Sequence, residues 1–185
     1  MKDLVATALN AARAAGATYA DARVVESRHQ RLSVRTGRVD GVESGESLGI
    51  GIRAIVDGAW GFAATSDLST DGITAAAREA VALARAAATT SRRPVALAPV
   101  NAYTDTWTGP CETDPFTVSL DDKLALLLLA DDVLRTETAV RVTSTSMNFL
   151  GVRKVFGSTE GSLIEQSYVE SQAGLTAFAI GDGEM

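Results

Sequence analysis

The side chains best suited to metal binding or nucleophilic catalysis are scarce in this sequence. It contains one histidine, His29, and one cysteine, Cys111, among 185 residues. Structural zinc sites use several Cys and His ligands, and the helical zinc motif of metalloproteases needs a pair of histidines. A zinc site of either kind is therefore excluded from this chain alone, and so is a disulfide bond within it.

Neither of these two residues lies in a motif that would activate it. His29 falls among arginines on the side of a predicted strand that should face solvent, so we interpret it as an exposed surface residue. Cys111 lies between a proline and a glutamate in an irregular segment. There is no G-x-S-x-G nucleophile elbow and no P-loop. We therefore assign no catalytic and no metal-binding residue to this chain.

Residues 49–54 match the loose G-x-G-x-x-G/A fingerprint of dinucleotide-binding proteins. That fingerprint needs a strand before it and a helix after it. Here alternating apolar residues run straight through the motif, which predicts that Gly49 and Gly51 lie inside a strand. Glycines at such positions leave room for a helix or an aromatic ring to pack.

Two acidic pairs, Asp121/Asp122 and Asp131/Asp132, could suggest a two-carboxylate site. The first pair lies at a predicted helix N-terminus, where the helix dipole favours acids. We predict that the second pair lies on a solvated face of the same helix. Asp121 and Asp132 would be about 16 Å apart along the helix axis, which is too far for paired catalytic carboxylates.

One cluster of basic residues stands out, Arg28, Arg31, Arg35 and Arg38, and acidic residues are interspersed with it. The chain carries a formal net charge of −6, and residues 101–185 hold 5 Lys/Arg against 13 Asp/Glu. Nucleic acid is therefore an unlikely partner. We expect the arginines to form a solvated strand face, or to contact the acidic second half of the chain or a partner subunit.

Composition places the chain among ordinary globular proteins, at 46% hydrophobic and 22% charged residues. No apolar run is long enough to span a membrane, and residues 1–20 have no signal-peptide core. Together with the single cysteine, these features predict a cytoplasmic protein.

The first half, residues 1–88, reads as helix, β-structure and helix. Apolar spacing predicts a helix that ends at Gly16, and alternation predicts strands over 21–36 and 48–56. Glycines at 37, 41 and 45 are expected to mark turns. Asp57-Gly58 predicts a two-residue hairpin whose return strand carries Trp60 and Phe62 on one face. A second helix, rich in alanine and capped near Ser69, should pack closely on the sheet.

The second half, residues 119–185, follows a Pro-rich connector over 89–118 in which we expect no regular element. We favour a surface crossover there, with a domain boundary as the alternative. Ser119 and Asp122 form a capping box for a helix over 120–135, which Leu126 and Leu129 indicate is covered on more than one side. Four short strands follow, with Gly151, Gly157, Gly161 and Gly174 near their turns.

These elements predict an α/β protein of the α+β type, with antiparallel sheets and packed helices. A helix followed by β-strands in each half suggests an internal duplication. Gly49 precedes Asp57-Gly58, and Gly174 precedes Asp182-Gly183, by the same spacing. The second turn has no return strand, which would leave residues 173–181 with an unpaired edge. We therefore expect the natural polypeptide to continue past Met185.

Several segments, in order along the chain, resemble the TldD/PmbA family, also called modulators of DNA gyrase. The likeness is strongest at residues 57–63, Asp-Gly-Ala-Trp-Gly-Phe-Ala. It also includes residues 16–23, the Gly49-x-Gly51-x-Arg53 segment, Asp114-Pro115, Lys123, residues 158–161 and residues 182–184. The resemblance therefore covers nearly the whole chain, which would be the N-terminal domain of such a protein.

The resemblance implies a cytosolic zinc metallopeptidase, or its close partner, that forms homo- or heterodimers around a cavity. Such proteins act on peptides or small unfolded proteins. Their zinc belongs to an H-E-x-x-x-H motif in a C-terminal domain that these 185 residues lack, so this chain is expected to bind no cofactor and to be inactive by itself. Here the segment Trp60, Gly61 and Phe62 is the candidate for substrate or interface contact, with core packing as the simpler interpretation.

Two alternatives to this function stay open. The chain could be a non-catalytic subunit or a short paralogue that binds a peptide or a partner without protease chemistry. A weaker alternative, suggested only by the gyrase name, is a regulator linked to nucleic acid. Neither alternative requires a membrane.

Overall fold

The structure is a computed structural model that describes residues 1–181. Its elements, in chain order, are α1 (Lys2–Ala14), β1 (Tyr19–Arg35), β2 (Arg38–Val56), β3 (Ala59–Thr65), α2 (Thr70–Ala88), β4 (Thr104–Thr108), a short 3-10 helix (Pro115–Thr117), α3 (Leu120–Leu134), β5 (Val140–Ser158) and β6 (Leu163–Ala179). The strands form one mixed, mostly antiparallel sheet in the order β3-β2-β1-β5-β6-β4. The predicted α+β class is confirmed.

The residues group into two compact units. Unit 1 comprises residues 1–26, 47–108 and 152–167, and unit 2 comprises residues 27–46, 109–151 and, among the described residues, 168–181. In unit 1, apolar residues of α1 and α2 pack on alternating residues of the strands, including Val24, Ile52 and Val155. In unit 2, Leu127 of α3 packs on Leu32 and Val34 of β1.

The local signals for helix ends and the first hairpin are confirmed. Gly16 has a φ of +101° after α1, and Ala17 N–H donates to the carbonyl of Ala12, as in a Schellman C-terminal motif. Ser69 accepts from the backbone N–H of Gly72, which caps α2. Asp57 and Gly58 both have positive φ, as a type I′ turn requires, and β3 returns antiparallel to β2.

The strands are longer than the glycine pattern predicted. Gly41 and Gly45 lie within β2, Gly151 within β5 and Gly174 within β6, so the turns expected there are wrong. Glycine is a poor strand former, but backbone pairing with the neighbouring strands keeps these glycines in the extended conformation. Of the glycines expected to mark these turns, only Gly37 and Gly161 lie between strands, and both have positive φ.

The connector over 89–118 is not free of regular structure. Residues Thr104–Thr108 form β4, which pairs in parallel with Leu163–Ser167 of β6, and Pro115 begins the 3-10 helix. All five residues of β4 are exposed, so no buried alternation could mark this strand in the sequence.

Two further expectations about side-chain positions are wrong, those for Leu48 and Asp131. Alternation over 48–56 predicts one buried face, but Leu48 is exposed while the other alternating apolar residues of β2 are buried. Leu126 and Leu129 of α3 are 55% and 61% exposed, so no described residue covers that face and its expected cover stays a prediction. Asp131 is fully buried, although it was expected on a solvated face. Its burial is tolerated because it accepts hydrogen bonds from Gly37 N–H at 2.7 Å and Arg135 Nε at 2.9 Å.

The turn predicted at Asp182-Gly183 lies outside the described residues, so the internal duplication stays a prediction. None of the helices within residues 1–181 is both long and apolar enough to cross a membrane.

Candidate functional site

Unit 1 has two different sides because its strand residues alternate in direction. Ala20, Ala22 and Val24 of β1 are buried in the core with the helices, so the intervening residues point to the other side of the sheet. We call that side the open face of unit 1. It consists of Tyr19, Asp21 and Arg23 of β1, Gly49, Gly51 and Arg53 of β2, Trp60, Phe62 and Ala64 of β3, and Phe156 of β5.

A buried carboxylate organises the open face. Asp21 has no exposed surface, and its Oδ1 accepts hydrogen bonds from Arg23 Nη1 at 2.8 Å and Arg53 Nε at 3.0 Å. Its Oδ2 accepts from Arg53 Nη2 at 2.6 Å and from the hydroxyl of Tyr19 at 3.1 Å. A buried charge is tolerated only when it is paired and hydrogen-bonded, and Asp21 meets both conditions.

Aromatic rings hold the two arginines. Arg53 lies over the ring of Trp60 at 4.9 Å, and Trp60 meets Tyr19 edge-on with ring centroids 5.7 Å apart. Arg23 lies over the ring of Phe156 at 4.8 Å. The side chains of both arginines nevertheless remain about two-fifths exposed, at 40% and 42%. The open face therefore presents fixed guanidinium groups to solvent.

The three residues singled out by the sequence point in two directions. Trp60 and Phe62 share the open face, as predicted, and Phe62 is 58% exposed. Gly61 instead faces α2, where an added Cβ would lie 2.0 Å from the carbonyl oxygen of Ala80. Gly61 therefore allows the close approach of β3 and α2 that the alanine-rich helix predicted.

A shallow trough of about 440 Å³ continues from Arg23 along the open face. Gly49, Gly51 and Ala64 supply its floor, and an added Cβ at Gly51 would lie 3.2 Å from the ring of Phe62. The prediction that both glycines lie inside a strand is confirmed, and Gly51 leaves room for an aromatic ring. The dinucleotide fingerprint needs a helix directly after the glycines, whereas here β2 continues to Val56 and β3 follows it.

The remaining candidates lie in unit 2, where most of them have structural partners. Arg28 forms an ion pair with Asp114 at 2.6 Å and lies over the ring of Phe116, which confirms contact with the acidic second half. Hydrogen bonds from Phe116 N–H and Arg28 keep the pKa of Asp114 below its usual range. The other three arginines of the basic cluster are exposed, and so is His29, as predicted.

Lys123 is a buried cation of unit 2. Its Nζ donates to Gln30 Oε1 at 2.6 Å and lies over the ring of Phe149, and burial lowers the pKa of its ammonium group. Cys111 is exposed. Within residues 1–181, no three His, Cys, Asp or Glu side chains lie close enough together to hold a metal ion. The described side chains thus do not fit a zinc centre.

Tyr19, Asp21, Arg23 and Arg53 form what we call the Asp21 cluster. Sequence reasoning missed it because Arg53 lies on another strand, far from the other three in the chain. Asp21 and Arg53 are separated by 32 residues, and a single sequence does not show which strands pair. One signal was available: Asp21 and Arg23 alternate with buried alanine and valine, which places both charges on the same side of β1.

Comparisons with known proteins agree on one family. Residues 20–84 match the model of PmbA/TldA metallopeptidase domain 1, and residues 113–185 match the model of the PmbA/TldA metallopeptidase central domain. A metalloprotease of Methanocaldococcus jannaschii is 23% identical over 149 residues, which is 80% of this chain and 32% of that protein. A metalloprotease of Synechocystis is 27% identical over 166 residues, or 88% of this chain and 35% of that protein.

Solved structures show the same fold. A modulator of DNA gyrase from Bacteroides thetaiotaomicron superposes with a TM-score of 0.81 at 15% identity, covering 100% of this chain and 42% of that one. TldE from Thermococcus kodakarensis gives 0.70 at 13% identity, covering 100% and 40%. The chain thus spans about a third of the curated relatives and two-fifths of the solved structures. With both family models matched in order along it, this chain belongs to the PmbA/TldD metallopeptidase family.

Proposed function

We propose that this chain is the part of a PmbA/TldD-type zinc metallopeptidase that binds substrate and forms the dimer and its cavity. Its substrates are peptides or small unfolded proteins of the cytoplasm. The catalytic zinc belongs to a C-terminal domain outside these 185 residues, so the chain is inactive by itself. The metalloprotease names of the curated relatives, of which this chain spans only a third, support this division of roles.

The observation that carries the proposal is the position of β3 at one end of the sheet. Among the described strands, β3 has a single neighbour, β2, so its other backbone edge has no strand partner. An extended peptide can add to such an edge through main-chain hydrogen bonds, while its side chains occupy neighbouring pockets. Trp60 and the exposed Phe62 lie on this same strand, beside the trough.

The dimer has a candidate surface on α3. The exposed side chains Leu126, Leu129 and Val133 recur at helical spacing and form an apolar stripe. The inward side of the same helix carries the buried polar residues Lys123 and Asp131. A helix whose exposed side carries such an apolar stripe is better explained by a second subunit on that side than by solvent.

A second candidate function is a non-catalytic binding subunit, or a short paralogue of the enzyme. The described residues contain no set of side chains able to bind a metal ion, which fits a non-catalytic subunit as well as it fits the substrate-binding part of an enzyme. The coding sequence after Met185 separates the two: an H-E-x-x-x-H motif there supports the enzyme, and a stop codon excludes it.

Peptide binding tests the proposal directly. Extended apolar peptides labelled at the N-terminus should bind the purified chain in fluorescence anisotropy, and mass spectrometry should detect no cleavage. Phe62→Ala should weaken binding by about fivefold or more, since exposed aromatic residues are frequent binding hot spots.

The matched control is Leu83→Ala, an exposed apolar residue of α2, which should leave binding unchanged. Equal binding by the parent chain and Phe62→Ala would contradict a role for β3. Hydrolysis by the purified chain would contradict the assignment of catalysis to another domain.

A further inference from the structure

The positive charge of the Asp21 cluster exceeds its negative charge. A single carboxylate is shared by two guanidinium groups, so the cluster keeps a net charge of about +1. The hydrogen bond from Arg53 to Asp21 also raises the pKa of the Arg53 guanidinium, so Arg53 stays charged at physiological pH. The excess charge is directed to the open face, where both side chains are partly exposed.

The hydrogen bonds to Asp21 use only some of the available donors. A guanidinium has five N–H groups, and the contacts with Asp21 occupy Nε and Nη2 of Arg53 and Nη1 of Arg23. The remaining donors are Nη1 of Arg53 and Nε and Nη2 of Arg23. Planar guanidinium groups bind carboxylates through paired N–H donors, which gives both strength and orientation.

Both arginines are fixed before any ligand arrives. Asp21 forms ion pairs with both, and their guanidinium groups lie over the rings of Phe156 and Trp60. Long flexible side chains lose rotamer entropy when they bind an exposed partner. Here folding has already removed most of that freedom, so a ligand meets a preorganised site.

The trough leads directly to these groups. Arg23 lines the trough, and Gly49, Gly51 and Ala64 keep its floor shallow. Phe62 faces Arg53 across the β2–β3 pair, so an apolar surface lies next to the charge. This arrangement suits a peptide that adds to the edge of β3 and whose acidic group crosses the glycine floor of the trough to reach the arginines.

We propose that Arg23 and Arg53, positioned by Asp21, form a carboxylate-binding site that selects an acidic group on an extended peptide substrate. The carboxylate comes either from the C-terminus of the peptide or from an Asp or Glu side chain. The inference rests on the proposed peptide-binding function, because it names the group that the same surface recognises.

The test compares matched peptides on the 185-residue chain. One apolar peptide is made as the C-terminal acid and as the amide, and a third, amidated peptide carries one internal Glu. The acid should bind at least tenfold more tightly than the amide in fluorescence anisotropy, and added salt should reduce the difference. Arg53→Gln and Arg23→Gln should each remove most of that preference, whereas Arg78→Gln on the exposed side of α2 should keep it.

The peptide arms identify the source of the carboxylate. Preference for the free acid alone assigns the C-terminal carboxylate, and tight binding of the Glu-containing amide assigns a side chain; both results support the site. Equal binding of acid, amide and Glu peptide would overturn it, and so would an unchanged preference in Arg53→Gln.

These failures can be told apart from failure of the proposed function. If Phe62→Ala weakens all peptides while the arginine variants change nothing, peptide binding stands and the carboxylate site is wrong. If no peptide binds the folded parent chain, as verified by circular dichroism, both proposals are wrong.

Discussion

Tyr19 shows how burial and the neighbouring carboxylate of Asp21 together change the ionisation of a phenol. Burial of the phenol, together with the charge and hydrogen bond of Asp21, raises the pKa of Tyr19 to about 12. The neutral hydroxyl donates to Asp21 Oδ2, and a phenolate there would face a second negative charge. The proton of Tyr19 is thus part of the structure that holds the arginines in place.

The stability of the chain should therefore fall in alkaline solution. The unfolded phenol ionises near pH 10, and the folded one only near pH 12, so the contribution of Tyr19 is complete below pH 10 and disappears as the pH rises to 12. Because Tyr19 is partly exposed, we expect a loss of about 1 kcal/mol. Urea unfolding between pH 9 and pH 12 measures it.

Tyr19→Phe is the control, because it lacks the ionisable group and should lose less stability over the same range. An identical decline in both proteins would show that other groups cause the effect.

At the scale of elements, the packing of β3 on α2 depends on the missing side chain of Gly61. A Cβ at this position would lie 2.0 Å from Ala80 O and 2.4 Å from Ala84 N, which are backbone atoms of α2 that cannot rotate away. Gly61→Ala should therefore destabilise the protein by about 3 kcal/mol, or prevent folding.

Thermal unfolding followed by circular dichroism measures this change. Gly41→Ala is the matched control, since its Cβ would approach only the flexible Ser33 hydroxyl at 3.1 Å. A small effect at position 61, similar to that at position 41, would mean that β3 and α2 are less closely packed than the structure shows.

Local chemistry made several elements predictable. The Ser69 and Ser119 caps and the Asp57-Gly58 turn each depend on residues within a few positions of one another, so the sequence contained the whole signal. Strand β4 could not be predicted because its pairing with β6 comes from residues almost 60 positions away. The contact between Asp21 and Arg53 could not be predicted for the same reason. The shared orientation of Trp60 and Phe62, in contrast, follows from the alternation of side chains along a strand.

At the scale of the whole molecule, we expect the apolar stripe of α3 to mediate self-association or pairing with a family member. Leu129→Glu should convert a dimer to a monomer in sedimentation velocity, because burying an unpaired carboxylate in an apolar interface is costly. Leu83→Glu, a similar change on an exposed leucine of α2, should leave the dimer intact. Dissociation by both variants alike, or by neither, would contradict this assignment.

The buried Asp131 of unit 2 has a consequence for how the chain folds. It binds the amide of Gly37 in the β1–β2 turn, which lies 94 residues earlier in the sequence. That turn also places Thr36, a β-branched residue, at a φ of +47°, a conformation that such side chains rarely adopt. The turn therefore gains this contact only after α3 has been synthesised and docked, so we expect its geometry to become fixed late in folding.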